Sequence, residues 1–423
     1  MSYAGSTVLV VGAGYSGKRR VYERMADLGV SLAVVDEPGH WSESLVADGI
    51  ARAWLPAPIC GDADQDAAAI IAALEHAGVR PDGVFNIWEN SVCVAARVAE
   101  ALDLPGNPVD AVDAARSKIR TRETSAALGL PTPRAVRVRS LDELFAAAEN
   151  VGFPAVVKPE FGASAMGCVR VNGFEDLPGI YNLVRDVVRP EHDDIFRAGN
   201  DLLLEEYLDG VEFDVDLVLA DGTCVFNSVS QNWPTAEPSF QERGLHCPAD
   251  HNPKAVKRLV DLTVQTVQAF GFSRGVLHVE GKCTSRGPRI IEVNARMGGG
   301  RVYEMVRDVW DVDLVETQLR SCLDLPLALN PSRKPRCHIV DHLVYAPASG
   351  VLTALPLPED PPKGCISLDL DLDASVGDEV VGPEGVFASL LVEVTLVAKD
   401  LKTARALTSQ VLRDPPVVAR SDR

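Results

Sequence analysis

His278-Val279-Glu280-Gly281-Lys282, followed by Ile290-Ile291-Glu292-Val293-Asn294-Ala295-Arg296-Met297-Gly298-Gly299-Gly300, is the stretch that decides how this chain is read. Side chains alternate along a strand, so His278, Glu280 and Lys282 share one face, and Glu292 and Asn294 share one face of the next apolar run. If the two runs pair antiparallel through a turn at 285–287, then Glu280, Glu292 and Asn294 converge as hard oxygen ligands. Magnesium takes such ligands and completes its octahedron with triphosphate oxygens. Carboxylates of like charge on apolar strands are costly unless a cation lies between them. The alternative is a pair of surface acids on an exposed face. Arg296, just past the second run, carries the planar fork that grips a phosphoryl or carboxylate group.

Upstream, Lys158 ends the apolar run Phe153-Pro154-Ala155-Val156-Val157. A lysine there is buried at tolerable cost only if it meets an anion. Gly162-Ala163-Ser164-Ala165-Met166-Gly167 follows it, small and flexible enough to fold over phosphates and offer backbone N–H groups. The competing reading is an edge-strand lysine beside an ordinary hairpin. Leu202-Leu203-Leu204 turns acidic at Glu205-Glu206-Tyr207-Leu208 and returns through Glu212. Adenine needs a backbone donor and acceptor at its edge plus a carboxylate or carbonyl for its amino group, and a ribose diol needs a carboxylate such as Glu212; a hairpin with solvated acids would look the same. Glu242 and His246 lie in a polar loop that suits an amino-acid ammonium, or is simply a surface loop.

At the N-terminus the run Thr7–Val11 meets Gly12-Ala13-Gly14-Tyr15-Ser16-Gly17, then helical spacing to Leu28, then Ser31–Asp36. This is a βαβ unit of a parallel sheet, and its turn fits GxGxxG with Asp36 near the position of a ribose carboxylate. Three readings stand: a dinucleotide site (an NAD(P)-dependent oxidoreductase), a tight turn with no ligand, or a substrate-facing loop. The βαβ texture continues to Leu102 and breaks at Leu104-Pro105-Gly106-Asn107-Pro108. A single helix is expected over 113–128. Short strands and two helices follow, forming an α+β module at about 135–210. A helix is expected at 253–270, and the chain from about 335 onward is rich in strands and Pro/Gly turns. The expected domains are 1–108, 109–330 and 331–423, in a mixed α/β and α+β fold.

The composition excludes some classes. A formal charge of −19 on 423 residues argues against nucleic acid, whose phosphates demand a basic footprint. No apolar run reaches membrane-spanning length. Residues 1–6 lack the pattern of an export signal, and nine cysteines without a CxxC pair read as reduced thiols in the cytoplasm.

Together these segments resemble the ATP-grasp superfamily, over about residues 6–330 and more loosely to the end. Within it the likeness runs to the ligase half of carnosine synthase and to bacterial L-amino-acid (dipeptide) ligases. It rests on Gly12–Arg19, Glu205–Asp216 and Glu292–Gly299. The resemblance implies an N-terminal Rossmann-like domain, a small lid and a strand-rich C-terminal region. It implies ATP and Mg2+ as cofactors, with two ions (or Mn2+), and small-molecule carboxylate and amine substrates joined through an acyl phosphate. Lys118 and Lys158 resemble the phosphate-contacting lysines, Gly162 to Gly167, with Ser164, the phosphate-covering loop, and Glu205, Glu206, Tyr207 and Leu208 the adenine hinge. Glu212 resembles the ribose acid, Glu280, Glu292 and Asn294 the metal ligands, and Arg296 the arginine of the acyl-phosphate step, with Gly298 and Gly299 facing substrate. It also turns the first glycine loop toward substrate rather than a dinucleotide, and admits a homodimer. One departure is His278, where D-alanine–D-alanine ligase has an arginine.

Overall fold

A computed structural model describes residue 3, residues 5–383 and residues 387–420 of the protein. Residues 1, 2 and 4 of the segment read as lacking an export signal, and residues 384–386 and 421–423 of the C-terminal region, lie outside these.

The N-terminal strands Thr7–Val11, Ser31–Asp36 and Gly83–Phe85 form where expected, joined by a fourth, Ala53–Pro56. All pair in parallel, with Ala53–Pro56 at one edge, then Ser31–Asp36, Thr7–Val11 and Gly83–Phe85. Val8, Leu9, Val10 and Val11 are buried on both faces of the sheet, as befits a strand covered by helices on either side. Ala53–Pro56 escaped the sequence reading because four residues ending in proline give no periodicity.

The module at 135–210 has its own antiparallel sheet: Ala135–Val138, Leu202–Glu206, Ala155–Pro159 and Val169–Val171, in that spatial order. Helices Leu141–Val151 and Leu177–Val187 close a separate core around Val138, Leu144, Val157, Leu177 and Leu204. That self-contained core allows it to move as a body.

The largest sheet has eight strands, all antiparallel: Gly287–Asn294, Gly275–Thr284, Val211–Ala220, Thr223–Asn232, Gly244–Cys247, His338–Tyr345, Leu390–Ala398 and Ser367–Leu372 across its width. Three strands beyond residue 335 thus continue the sheet that carries the acidic hairpin, while Glu379–Val380, Gly350–Ala354 and Val417–Ala419 form a small sheet of their own. Helix Pro253–Phe270 packs beneath it through Leu259 and Val267, begun by an Asn252 cap and stopped by left-handed Gly271.

The helix expected over 113–128 is instead two, Val109–Arg116 and Lys118–Ala127. Ser117 between them is extended (φ −90°, ψ 116°), and its hydroxyl caps the second helix by accepting from the Arg120 N–H at 3.1 Å. The same hydroxyl donates to Glu160. All nine cysteines are free, and no helix among the described residues is long and apolar enough to cross a membrane.

Candidate active site

The acidic hairpin forms in the register its alternation implies: Glu280 faces Glu292, and His278 faces Asn294. Burial drives the Glu280 carboxyl well above its ordinary range, and the nearby Glu292 and Asp214 push it further. Burial pushes Glu292 the same way, but Lys118, whose Nζ lies 3.1 Å from its Oε1, holds it below the usual carboxylate range. One acid is therefore matched by a lysine, and its neighbour calls for a cation. Asn294 completes the group, its amide 3.5 Å from Glu280. Among the described residues no cluster of three His, Cys, Asp or Glu side chains offers a self-sufficient metal cage. Two carboxylates and an amide oxygen fit instead a hard divalent ion that brings phosphate oxygens with it. Behind them His278 pairs with Asp216 at 2.9 Å; although burial alone would lower it, Asp216 raises the imidazole to about 9, so it stays charged at neutral pH.

Lys118 also donates to the Gly162 carbonyl at 3.4 Å, tying the second helix to the glycine loop. In that loop Ser164, Ala165 and Gly167 all have positive φ (51°, 56° and 73°), and the Met166 and Cys168 N–H groups close tight turns onto the Ala163 and Ala165 carbonyls at 3.0 and 2.9 Å. Lys158 is buried as expected, and the anion it meets is Glu205, 2.6 Å away. Glu205 also receives Arg122 at 2.7 and 3.3 Å. Although burial pushes it up, Arg122 and Lys158 hold its carboxyl at about 2. The assignment of this side chain to adenine is thus corrected: its oxygens are committed to two cations, and its work is to anchor Lys158. Glu206 likewise turns to Arg286, at 2.6 Å. The Leu208 carbonyl accepts from Lys282, which also lies 3.4 Å from Glu212. Tyr207 packs against the Arg170 guanidinium, 4.4 Å from its ring centre.

These groups open onto a cavity of about 360 Å³, shared by Lys118, Lys158, Glu280, Glu292, Arg296 and Glu242. Arg296 pairs with buried Glu89 at 2.7 Å and reaches the Asn294 Oδ1 at 3.3 Å. Gly299 lines the cavity; a Cβ at Gly298 would come within 2.8 Å of the Val302 side chain, so that glycine serves packing. Glu242 stands in the cavity wall, where loss of bulk water and the charges of Asp214 and Glu212 push its carboxyl up to about 7.

His246 does not join it. Its Nδ1 accepts from Trp233 at 3.2 Å, its Nε2 lies 3.2 Å from Arg405, and burial and Arg405 lower it to about 4. It is a neutral packing residue, and the pairing with Glu242 is corrected. Two acids that the motifs did not flag, Asp341 and Glu393, line the same cavity from the C-terminal strands. Burial and Asp341 push Glu393 up to about 8. Lys18, buried beside Gly299, is pushed down to about 7 by burial and by the charges of Arg296 and Arg20. Its place directly after the glycine turn was the one signal available.

Nothing in the geometry calls for a dinucleotide. Each Asp36 oxygen already serves the fold, accepting from the Ala13 N–H at 2.6 Å and the Glu37 N–H at 2.8 Å, which accounts for an acid at this position without a ribose. A Cβ at Gly12 would strike the Ser91 side chain at 2.5 Å, and one at Gly14 would press on Trp88 at 3.0 Å. The glycines admit neighbouring side chains, with no pyrophosphate needed to explain them.

Residues 151–304 match the ATP-grasp domain family and residues 22–106 the ATP-grasp N-terminal domain family. The chain is 31% identical to carnosine synthase 1 of Homo sapiens over 352 residues, which is 79% of this chain and 42% of that protein. It is 33% identical to carnosine synthase 1 of Gallus gallus over 359 residues, 82% of this chain and 38% of that protein. The chain spans less than half the length of these relatives. Among solved structures, an L-amino acid ligase from Bacillus licheniformis superposes with a TM-score of 0.81 at 20% identity, covering 99% of each chain, a likeness of fold.

Proposed function

For a chain that belongs to the ATP-grasp superfamily, whose members bind ATP and typically a divalent metal, we propose an ADP-forming ligase that joins the carboxylate of one amino acid to the amine of another. The observation that carries this reading is the Glu280–Glu292 pair, held opposite one another with Lys118 and Arg296 at the two ends of the group.

In this reading Lys118 and Lys158 hold triphosphate oxygens, the 162–167 loop covers them, and the backbone of Glu206–Leu208 meets the adenine edge with Glu212 at the ribose. Glu280, Glu292 and Asn294 would hold two magnesium (or manganese) ions, which supply charge neutralisation as the phosphoryl group moves. The substrate carboxylate attacks the γ-phosphorus and ADP leaves. Arg296 faces the growing charge on that mixed anhydride. The amine then attacks the acyl carbon; the C–N bond forms, the C–O bond to phosphate breaks, and phosphate leaves with the electron pair while the ammonium protons pass to solvent. Positioning and exclusion of water dominate both steps, because a covered acyl phosphate is spared hydrolysis. Glu242, in the wall near the acids of the C-terminal strands, would take an ammonium group. The division at 1–108, 109–330 and 331–423, a cytoplasmic location and a homodimer belong to the same reading.

ADP release should require both an amino-acid carboxylate and an amine, and the product mass should equal their sum less water. ADP release that no pair of amino acids accelerates would refute the ligase reading.

A further inference from the structure

A second cavity, about 690 Å³, lies at the carboxyl ends of the N-terminal parallel strands. Gly14, Tyr15 and Trp88 form one wall; Phe161 and residues 190–195 and 197–198 form the other. In open parallel sheets this end of the strands is where ligands settle. The Gly12–Gly17 turn borders it, and the turn's glycines are explained by neighbouring side chains without a dinucleotide.

The distinctive group in this cavity is Arg116, at the end of helix Val109–Arg116 and only 5% exposed. Its Nε lies 3.6 Å from Glu89, and its guanidinium rests on the Phe161 ring at 5.2 Å. Both terminal nitrogens, Nη1 and Nη2, are buried without a hydrogen-bond partner among the described residues. A buried guanidinium with two bare N–H-bearing nitrogens is costly unless something arrives to receive them. Paired nitrogens on one planar fork match the two oxygens of a carboxylate. Asn90, beside Glu89 in the same wall, also has a buried Oδ1 without a partner. Glu89 is the joint between the two cavities, since it pairs with Arg116 on one side and Arg296 on the other.

We propose that this cavity receives the amine-donating substrate and that Arg116 binds that substrate's own carboxylate, so that the second substrate is an amino acid rather than a simple amine. This rests on the ligase reading above. The chemistry gives it a reason. When both substrates are amino acids, two carboxylates enter and only one is to be phosphorylated. A carboxylate forked onto Arg116, with Glu89 standing between it and Arg296, is kept from the phosphoryl group. The amine end, turned toward the Glu89–Arg296 joint, approaches the acyl phosphate.

The experiment compares three nucleophiles with one carboxylate substrate: an amino acid, its primary amide, and hydroxylamine, which has no carboxylate and traps acyl phosphates as hydroxamates. The amino acid should be used about 10- to 100-fold better than its amide in kcat/KM, the range of a lost charge-assisted pair. Arg116→Gln should bring that ratio close to one. Asn90→Asp, which sets a negative charge in the same wall without changing shape, should also lower it, and tests the site independently if Arg116→Gln folds poorly. A ratio near one in the unaltered enzyme, or one that survives in both variants, overturns this proposal. Hydroxamate formed alongside such a result would leave the ligase reading standing; no hydroxamate with any amino acid would sink that reading itself.

Discussion

Replacing Glu205 with Gln separates two accounts of one residue. As an adenine contact, its loss would weaken ATP binding and leave the fold alone. The structure makes it the common partner of Lys158 at 2.6 Å and Arg122 at 2.7 Å, with all three side chains almost wholly buried. The magnitude follows by two routes. Removing one member of a buried ion pair costs roughly 3–5 kcal/mol, because an uncompensated charge stays behind; here two would. Independently, holding the carboxyl at about 2 against an ordinary 4.5 corresponds to about 3 kcal/mol of linkage. A carboxyl depressed in the folded state stabilises fully above its unfolded value and loses that contribution as pH falls from about 4.5 toward 2. Glu205→Gln should therefore lower the unfolding free energy by about 3 kcal/mol at neutral pH, moving the urea midpoint down, and the gap to the parent should narrow steadily below pH 4.5. Urea titrations at several pH values measure both. An unchanged midpoint with only a raised KM for ATP would refute the anchoring role and restore the adenine contact.

Three further outcomes are expected. Glu292→Gln should abolish turnover with the fold intact, since it removes a charged hard ligand from a group with few others; ADP production near the parent rate would exclude the metal role. Hydrogen exchange across 160–170 should slow when MgATP is added, because the 135–210 module has its own core and its glycine loop borders the cavity; unchanged protection at saturating nucleotide would show it is no lid. Glu242→Ala should raise KM for an amino-acid substrate and leave KM for ATP unchanged, and in the parent that amino-acid KM should fall as pH rises through about 7, where Glu242 gains the charge that binds ammonium. A pH-independent KM would remove Glu242 from that contact.

What could be read from sequence depended on how far apart the deciding residues lie. The Glu280–Glu292 pair was legible because a short hairpin and a two-residue period fix which side chains share a face. His246 was misjudged because Gly244–Cys247 is only four residues long, and on so short a strand nothing marks which face is inward. Glu205 was assigned to adenine because its partner Arg122 is 83 positions away. Asp341 and Glu393 enter the cavity only because the C-terminal strands extend the hairpin's own sheet, a pairing that no local pattern announces.

The break at Ser117 shows how a small local feature organises the whole centre. Residues 113–128 contain no glycine before 129 and no proline, so their periodicity runs on unbroken, and the usual acidic partner of a capping serine is missing, position 120 being Arg. What stops the first helix is tertiary: Ser117 is claimed by Glu160 from the end of the lysine strand, and its oxygen is then free to cap the next turn. The consequence is a new helix N-terminus at Lys118, whose positive end adds to the lysine's charge beside Glu292. Arg116, left on the other side of the joint, points to Glu89 and the second cavity instead. One extended residue thus sends neighbouring cations to two different anions, Glu292 and Glu89, which is the separation that the proposed ligase with two carboxylates to tell apart would require.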